Sequence, residues 1–198
     1  DALPISDAGW LLPLDSYTEK HGIDLNDFLE SNIKACRWND KIVALPWFTS
    51  AGILYYRTDL LEKYNIQVPK TWQELEKASI EIVKQERKEN HHMVGFVFQA
   101  DESETLVTNY LEYLEGEGRD VIGSSGELIL DDKKALDALN IYSSMINISA
   151  PGITVFQEED ARNYFQSGNS VFMRNWPYAM TLMRGKNSSV REKFSITA

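Results

Sequence analysis

Two short stretches carry residue types suited to binding chemistry. Trp47-Phe48-Thr49-Ser50 and Asn175-Trp176-Pro177-Tyr178 each set aromatic rings beside hydroxyl or amide groups. A polyol offers apolar C–H faces and a rim of hydroxyls. Such a molecule is held by an aromatic plate under the face and by amide, hydroxyl or carboxylate groups at the edge. The same rings serve equally well as core aromatics, and residue type alone does not choose between the roles. Arg174 precedes the second stretch; its guanidinium suits a ligand carboxylate or a sugar hydroxyl, although strand alternation can aim it at solvent. Gln99, Asp101 and Glu102 follow an apolar run. Asp101 is placed to cap the next helix.

Bond-making chemistry has less to stand on. Glu158-Glu159-Asp160 and Glu112, Glu115 and Glu117 are carboxylate clusters, and paired acids serve glycoside hydrolysis. Acids in the first turn of a helix, however, are favoured there by the macrodipole. No GxSxG, HExxH, Walker or GxGxxG pattern occurs. His21, His91 and His92 lack partner cysteines at metal-ligand spacing, so neither a metal nor a cofactor is expected. Cys36 is the single cysteine, which rules out an internal disulfide.

Composition narrows the partners. The formal net charge is −10 over 198 residues, which disfavours nucleic acid and anionic membrane surfaces. Hydrophobic content of 43% and charged content of 25% are ordinary for a globular protein. No apolar run approaches the ~20 residues that span a bilayer, and no basic-then-apolar leader opens the chain.

The elements that must position these residues read as short strands alternating with helices, an α/β pattern. Ile42-Val43-Ala44-Leu45 reads as a buried strand that Pro46 interrupts. Ala51-Gly52 is a permissive joint, Ile53 to Tyr56 a second strand, and Thr58 to Tyr64 a short helix. Upstream, Asp24 to Ala35 reads as one helix capped by Asp24, burying Phe28, Leu29 and Ile33. Trp38 to Lys41 is a turn, and Trp10 is expected to pack against Leu12 and Leu14. Thr71 to Glu74 is a capping box opening a helix with Leu75, Ala78, Ile82 and Val83 on its buried side, and Trp72 belongs to the core. Val94 to Gln99 is a buried strand. The next helix buries Leu106, Tyr110, Leu111 and Leu114. Leu128 to Leu130 is a short strand, and Asp131 caps a helix through Leu136, Leu139, Ile141 and Met145. Glu158 to Ser167 is an amphipathic helix stopped by Gly168, Ser170 to Arg174 a strand, and Pro177 sits in the first turn of another helix. Phe194 begins a last strand. Ligands of open α/β sheets collect beyond strand ends, which points to the strand-to-helix turn at Asn175.

Three ordered motifs, ALPWFTSAGILYYRTDLLEKY, PKTWQELEKAS and SVFMRNWPYAM, resemble the extracellular solute-binding proteins of ABC importers, nearest the maltose- and trehalose-binding branch. The resemblance runs over nearly the whole chain. It implies a periplasmic-binding-protein-like two-lobe fold (type II), mostly the C-terminal lobe with part of the N-terminal lobe. Residues 1–50 would be a remnant of the N-terminal lobe and the hinge strand, 51–193 the C-terminal lobe, and 194–198 the start of a strand returning toward the hinge. On this reading the chain is a fragment lacking N- and C-terminal parts. Relatives often carry an acidic residue in the joint where this chain has Ser50.

The implied activity is binding a carbohydrate and delivering it to the permease subunits of an ABC transporter by hinge closure, without catalysis. The implied location is periplasmic or extracellular, with the membrane reached only through the permease or a lipid anchor outside this fragment. The implied ligand contacts are Trp47, Thr49, Ser50, Gln99, Glu102, Arg174, Asn175, Trp176 and Tyr178. A sugar-active hydrolase and a binder of a non-sugar solute are the alternatives.

Overall fold

The structure is a computed structural model that describes residues 2–118, 120–123, 125–130 and 132–197. The chain divides into two compact units, Asp1–Ser50 and Ala51–Ala198.

The first unit holds helices α1 (Ala2–Asp7), α2 (Asp15–His21) and α3 (Glu30–Ala35) and a two-stranded hairpin, β1 (Arg37–Trp38) with β2 (Lys41–Ile42). The turn expected at Trp38 to Lys41 closes this hairpin. Asn39 and Asp40 both take positive φ, 47° and 62°, as a tight two-residue hairpin turn demands. The strand stops at Ile42; Val43 N–H still donates to the Cys36 carbonyl at 3.0 Å, and the expected strand does not continue through Leu45. The single helix expected from Asp24 to Ala35 is broken. Asp24 does cap, accepting from Asn26 N at 2.9 Å, but only a 3-10 turn follows before α3 restarts at Glu30. Leu29 is extended and exposed, leaving Ile33 as the buried member of that set. Trp10 is 78% exposed and does not pack as expected.

The second unit is built on a mixed sheet of order β4-β5-β3-β6, with β3 (Ile53–Arg57), β4 (Val94–Val97), β5 (Ser170–Asn175) and β6 (Phe194–Thr197). β4 and β5 run parallel, while β3 pairs antiparallel with β5 and with β6. Helices α4 (Thr58–Lys63), α5 (Trp72–Glu86), α6 (Glu104–Gly116), α7 (Lys133–Ser144), α8 (Glu158–Gln166) and α9 (Tyr178–Met183) flank it. β4 and β5 are buried along their whole lengths, as strands covered on both faces must be.

Local chemistry explains the element ends. Thr71 accepts from Glu74 N at 3.1 Å, while the Glu74 carboxylate takes Lys70 N at 2.7 Å, one residue earlier than a strict capping box. Leu75, Ala78, Ser79 and Ile82 form the buried stripe of α5, and Val83 lies at its edge. Trp72 stacks on Tyr113, centroids 3.9 Å apart, so it belongs to the core as the sequence indicated. Two caps differ. Ser103, not Asp101, caps α6, and Asp101 instead accepts from the Ser103 hydroxyl and from Gln157 Nε2. Asp132 caps α7 by accepting from Ala135 N; the expected cap Asp131 lies outside the described residues.

The buried sides of α6 and α7 also differ from expectation. α6 buries Asn109, Tyr113 and Leu114, leaving Leu111 exposed. α7 buries Ala135, Ala138 and Tyr142, leaving Leu136 and Leu139 exposed. Small alanines let α7 approach closely. Leu139, Val107 and Ile146 then line an open apolar groove of about 410 Å³. Leu128 makes only an isolated bridge to Ile122 rather than a strand.

Gly95 marks how tightly α5 seats on β4. A Cβ there would overlap the Ser79 Cβ and stand 3.2 Å from the Ile148 carbonyl oxygen, and neither backbone can yield. We therefore expect Gly95→Ala to destabilise the chain by about 1–3 kcal/mol, read from the urea midpoint at unchanged slope.

Candidate functional site

Parallel pairing places the carboxyl ends of β4 and β5 side by side, with Val97 opposite Met173. Gln99 follows one strand and Arg174-Asn175 complete the other, so residues 75 positions apart in sequence meet at one sheet edge. Gln99 is fully buried. Its Nε2 donates to the Arg174 carbonyl at 3.1 Å, its Oε1 accepts from Arg174 Nη1 at 3.1 Å, and its carbonyl accepts from Asn109 Nδ2 at 2.6 Å.

Arg174 is 3% exposed. Its guanidinium is aimed neither at solvent nor outward from the sheet. Nε and Nη2 donate to the two oxygens of Glu112 on α6, and the Cζ lies 3.8 Å from the ring centre of Trp176. This is the planar, two-pronged use of arginine that a lysine cannot copy. Asn175, fully buried, donates to the Glu158 carbonyl at 3.0 Å and accepts from the Trp176 N–H at 2.8 Å. The Tyr55 hydroxyl donates to the Trp176 carbonyl at 2.8 Å, and burial pushes that phenol up to about 12. Both backbone groups of Trp176 are thereby fixed.

The indole itself stays part-exposed. Its Nε1 donates to Glu158 Oε1 at 3.3 Å, the same oxygen that accepts from Thr105 Oγ1 at 2.9 Å. Two residues on, the Tyr178 hydroxyl donates to Glu159 at 2.7 Å. Arg162 and then Tyr178 hold the Glu159 carboxyl below the usual carboxylate range. Burial and the Glu159 bond raise the Tyr178 phenol.

The fold thus brings together Gln99, Arg174, Asn175 and Trp176, with Tyr178 adjoining. Glu102 is exposed in the turn before α6 and joins none of these bonds. Trp47, Thr49 and Ser50 lie in the exposed, irregular end of the first unit, where Trp47 is 92% exposed. Sequence reasoning missed Glu158, Thr105 and Glu112 as members. By position Glu158 is a first-turn acid favoured by the helix macrodipole. The available signal was its place at the head of the helix that leads into β5, whose end carries Trp176. An aromatic plate beside a carboxylate acceptor, backed by a buried arginine and asparagine that are bonded inside the protein, is equipment for gripping a hydroxylated solute.

The family model described as bacterial extracellular solute-binding protein matches residues 2–197. The chain belongs to that family. It is 43% identical over 161 residues to a probable ABC transporter-binding protein of Deinococcus radiodurans, covering 80% of this chain and 38% of that one. It is 33% identical over 174 residues to a putative binding protein of Brucella abortus, covering 84% and 39%. Among solved structures it matches maltose-bound MalE3 of T. maritima with a TM-score of 0.85 at 39% identity, over 94% of this chain and 47% of that one. A solute-binding protein of Thermotoga lettingae bound with α-D-tagatose matches in fold, with a TM-score of 0.82 at 21% identity, over 98% and 50%. The fold class is therefore α/β of the type II periplasmic-binding-protein kind, with its lobes covered in part. The chain spans less than half the length of the curated relatives it matches. No helix among the described residues is long and apolar enough to cross a membrane.

The Glu159 ladder makes a titration prediction. A folded pKa below the unfolded one stabilises the fold above the unfolded value and loses that contribution as pH falls through the folded value. The Glu159 carboxyl should titrate below its ordinary range in the parent and rise toward it in Arg162→Gln, and by less in Tyr178→Phe. Carboxylate carbon-13 shifts check this. The stability deficit of Arg162→Gln should be present at neutral pH and vanish in acid.

Proposed function

We propose that this chain forms part of a solute receptor that binds a sugar or polyol and passes it to the permease of an ABC importer outside the cytoplasm. The observation that carries the reading is the part-exposed indole of Trp176, fixed through its backbone and its Nε1 and edged by the Glu158 carboxylate. Trp176 would lie under the apolar face of the sugar, with Glu158 and the Tyr178–Glu159 pair accepting from hydroxyls at its rim. Gln99, Arg174 and Asn175 spend their polar atoms within the protein, so in this reading they shape the site. Trp47, Thr49 and Ser50 remain candidate contacts from the first unit, and Glu102 a candidate at the rim.

The relatives support the solute class. MalE3, at 39% identity, was solved with maltose, so maltose- or trehalose-type oligosaccharides are the first choice for this chain. Residues 1–50 are assigned to the N-terminal lobe with its hinge strand, 51–193 to the C-terminal lobe, and 194–198 to a strand heading back to the hinge. Signalling would follow from differential binding, because a ligand shifts a conformational equilibrium only by what it gains in one state over the other. The work is binding and delivery, with no bond made or broken. The membrane would be met through the permease or a lipid anchor.

Calorimetry with maltose, trehalose and ribitol tests this. Trp176→Ala should weaken the bound sugar by about tenfold or more, which corresponds to ~1.4 kcal/mol, at a smaller cost in melting temperature than the loss of a core aromatic. Trp72→Ala should do the reverse, costing about 3–5 kcal/mol of stability. Equal affinity in a folded Trp176→Ala variant, or turnover of a chromogenic glycoside by the parent, would overturn the assignment.

A further inference from the structure

Every nitrogen of the Arg174 guanidinium has a partner inside the protein. Nε and Nη2 serve Glu112, Nη1 serves Gln99, and the face of the guanidinium lies against the Trp176 ring. A buried arginine held at each nitrogen by the protein fixes whatever rests on it. What rests on it here is the indole, which is also tied at Nε1 and through its backbone. A planar cation under an indole face is also attracted to it electrostatically, more so when desolvated.

A second observation comes from a different part of the chain. Gly52 stands at the entry to the second unit, immediately before β3. Its backbone lies outside the left-handed region, so conformational freedom does not explain the glycine. Space does. A Cβ at Gly52 would overlap Glu112 Oε1 and fall 2.7 Å from Arg174 Nη2 and 2.8 Å from Arg174 Nε. These atoms are the movable ends of the two side chains. A methyl group would therefore push the pair aside without breaking backbone packing.

We propose that Arg174 is a positioning residue for the Trp176 plate, clamped flat beneath it by Glu112 and Gln99, and that residue 52 is glycine because this clamp occupies the space a side chain would need. Any contact between Trp176 and a sugar rests on the functional reading above, whereas the clamp itself does not.

The test uses the 198-residue chain labelled with 5-fluorotryptophan. Trp176→Phe assigns one of its five tryptophan resonances. In Gly52→Ala the Trp176 fluorine signal should shift, and the melting temperature should fall as the buried Arg174–Glu112 pair is displaced. Arg174→Lys keeps a charge for Glu112 but loses the flat face, so it should shift the same signal. Glu112→Gln should shift it less, because one neutral acceptor remains. Arg174→Met gives the full loss if it folds; Gly52→Ala decides the matter if it does not. A Trp176 signal unmoved in both Gly52→Ala and Arg174→Lys overturns the clamp. Maltose affinity, measured on the same samples, should fall in the order of the fluorine shifts. A shifted signal with maltose affinity unchanged would uphold the clamp and overturn stacking of the sugar on Trp176.

Discussion

A buried guanidinium cannot be left half-paired, and the second unit is arranged around that constraint. Removing one partner of a buried ion pair costs about 3–5 kcal/mol, because the other charge stays behind without solvent. Arg174 meets the demand with a carboxylate from α6 and an amide from the end of β4, while its face meets an indole from the start of α9. Residues 62 and 75 positions from Arg174 are thus tied to it at the end of the strand. Gly52 then leaves the space the pair requires.

The surroundings of the clamp extend the same logic. Asn109 turns its amide to the Gln99 carbonyl, which explains why α6 buries an asparagine where a leucine would otherwise pack. Asn175 and Tyr55 hold the backbone of Trp176. Thr105 and the indole N–H converge on one oxygen of Glu158. A rigid apolar plate with a pre-oriented acceptor loses little entropy on meeting a solute.

Much of the fold was legible in the residues. Thr71, Pro177, Gly168 and the Asn39-Asp40 turn marked element ends because capping and positive-φ preferences are local. The apolar run around β4 and β5 announced buried strands. The stripes of α6 and α7 were misread for a physical reason. Size and hydrophobicity nominated Leu111, Leu136 and Leu139, yet close approach selected alanines, and a polar strand end selected Asn109. The broken helix at Leu29 likewise yielded to a turn that periodicity does not register.

Residue types by themselves determined that an aromatic–polar turn follows a buried strand at Asn175-Trp176-Pro177-Tyr178, that no metal or nucleophile motif accompanies it, and that the elements alternate as α/β. These are local properties of side chains and spacing. Only the tertiary structure decided that Arg174 points inward to Glu112, that Glu158 reaches the indole, and that Gly52 is small to make room for an ion pair. Each of those depends on distances between segments tens of residues apart, which strand pairing and helix packing set and linear order does not carry.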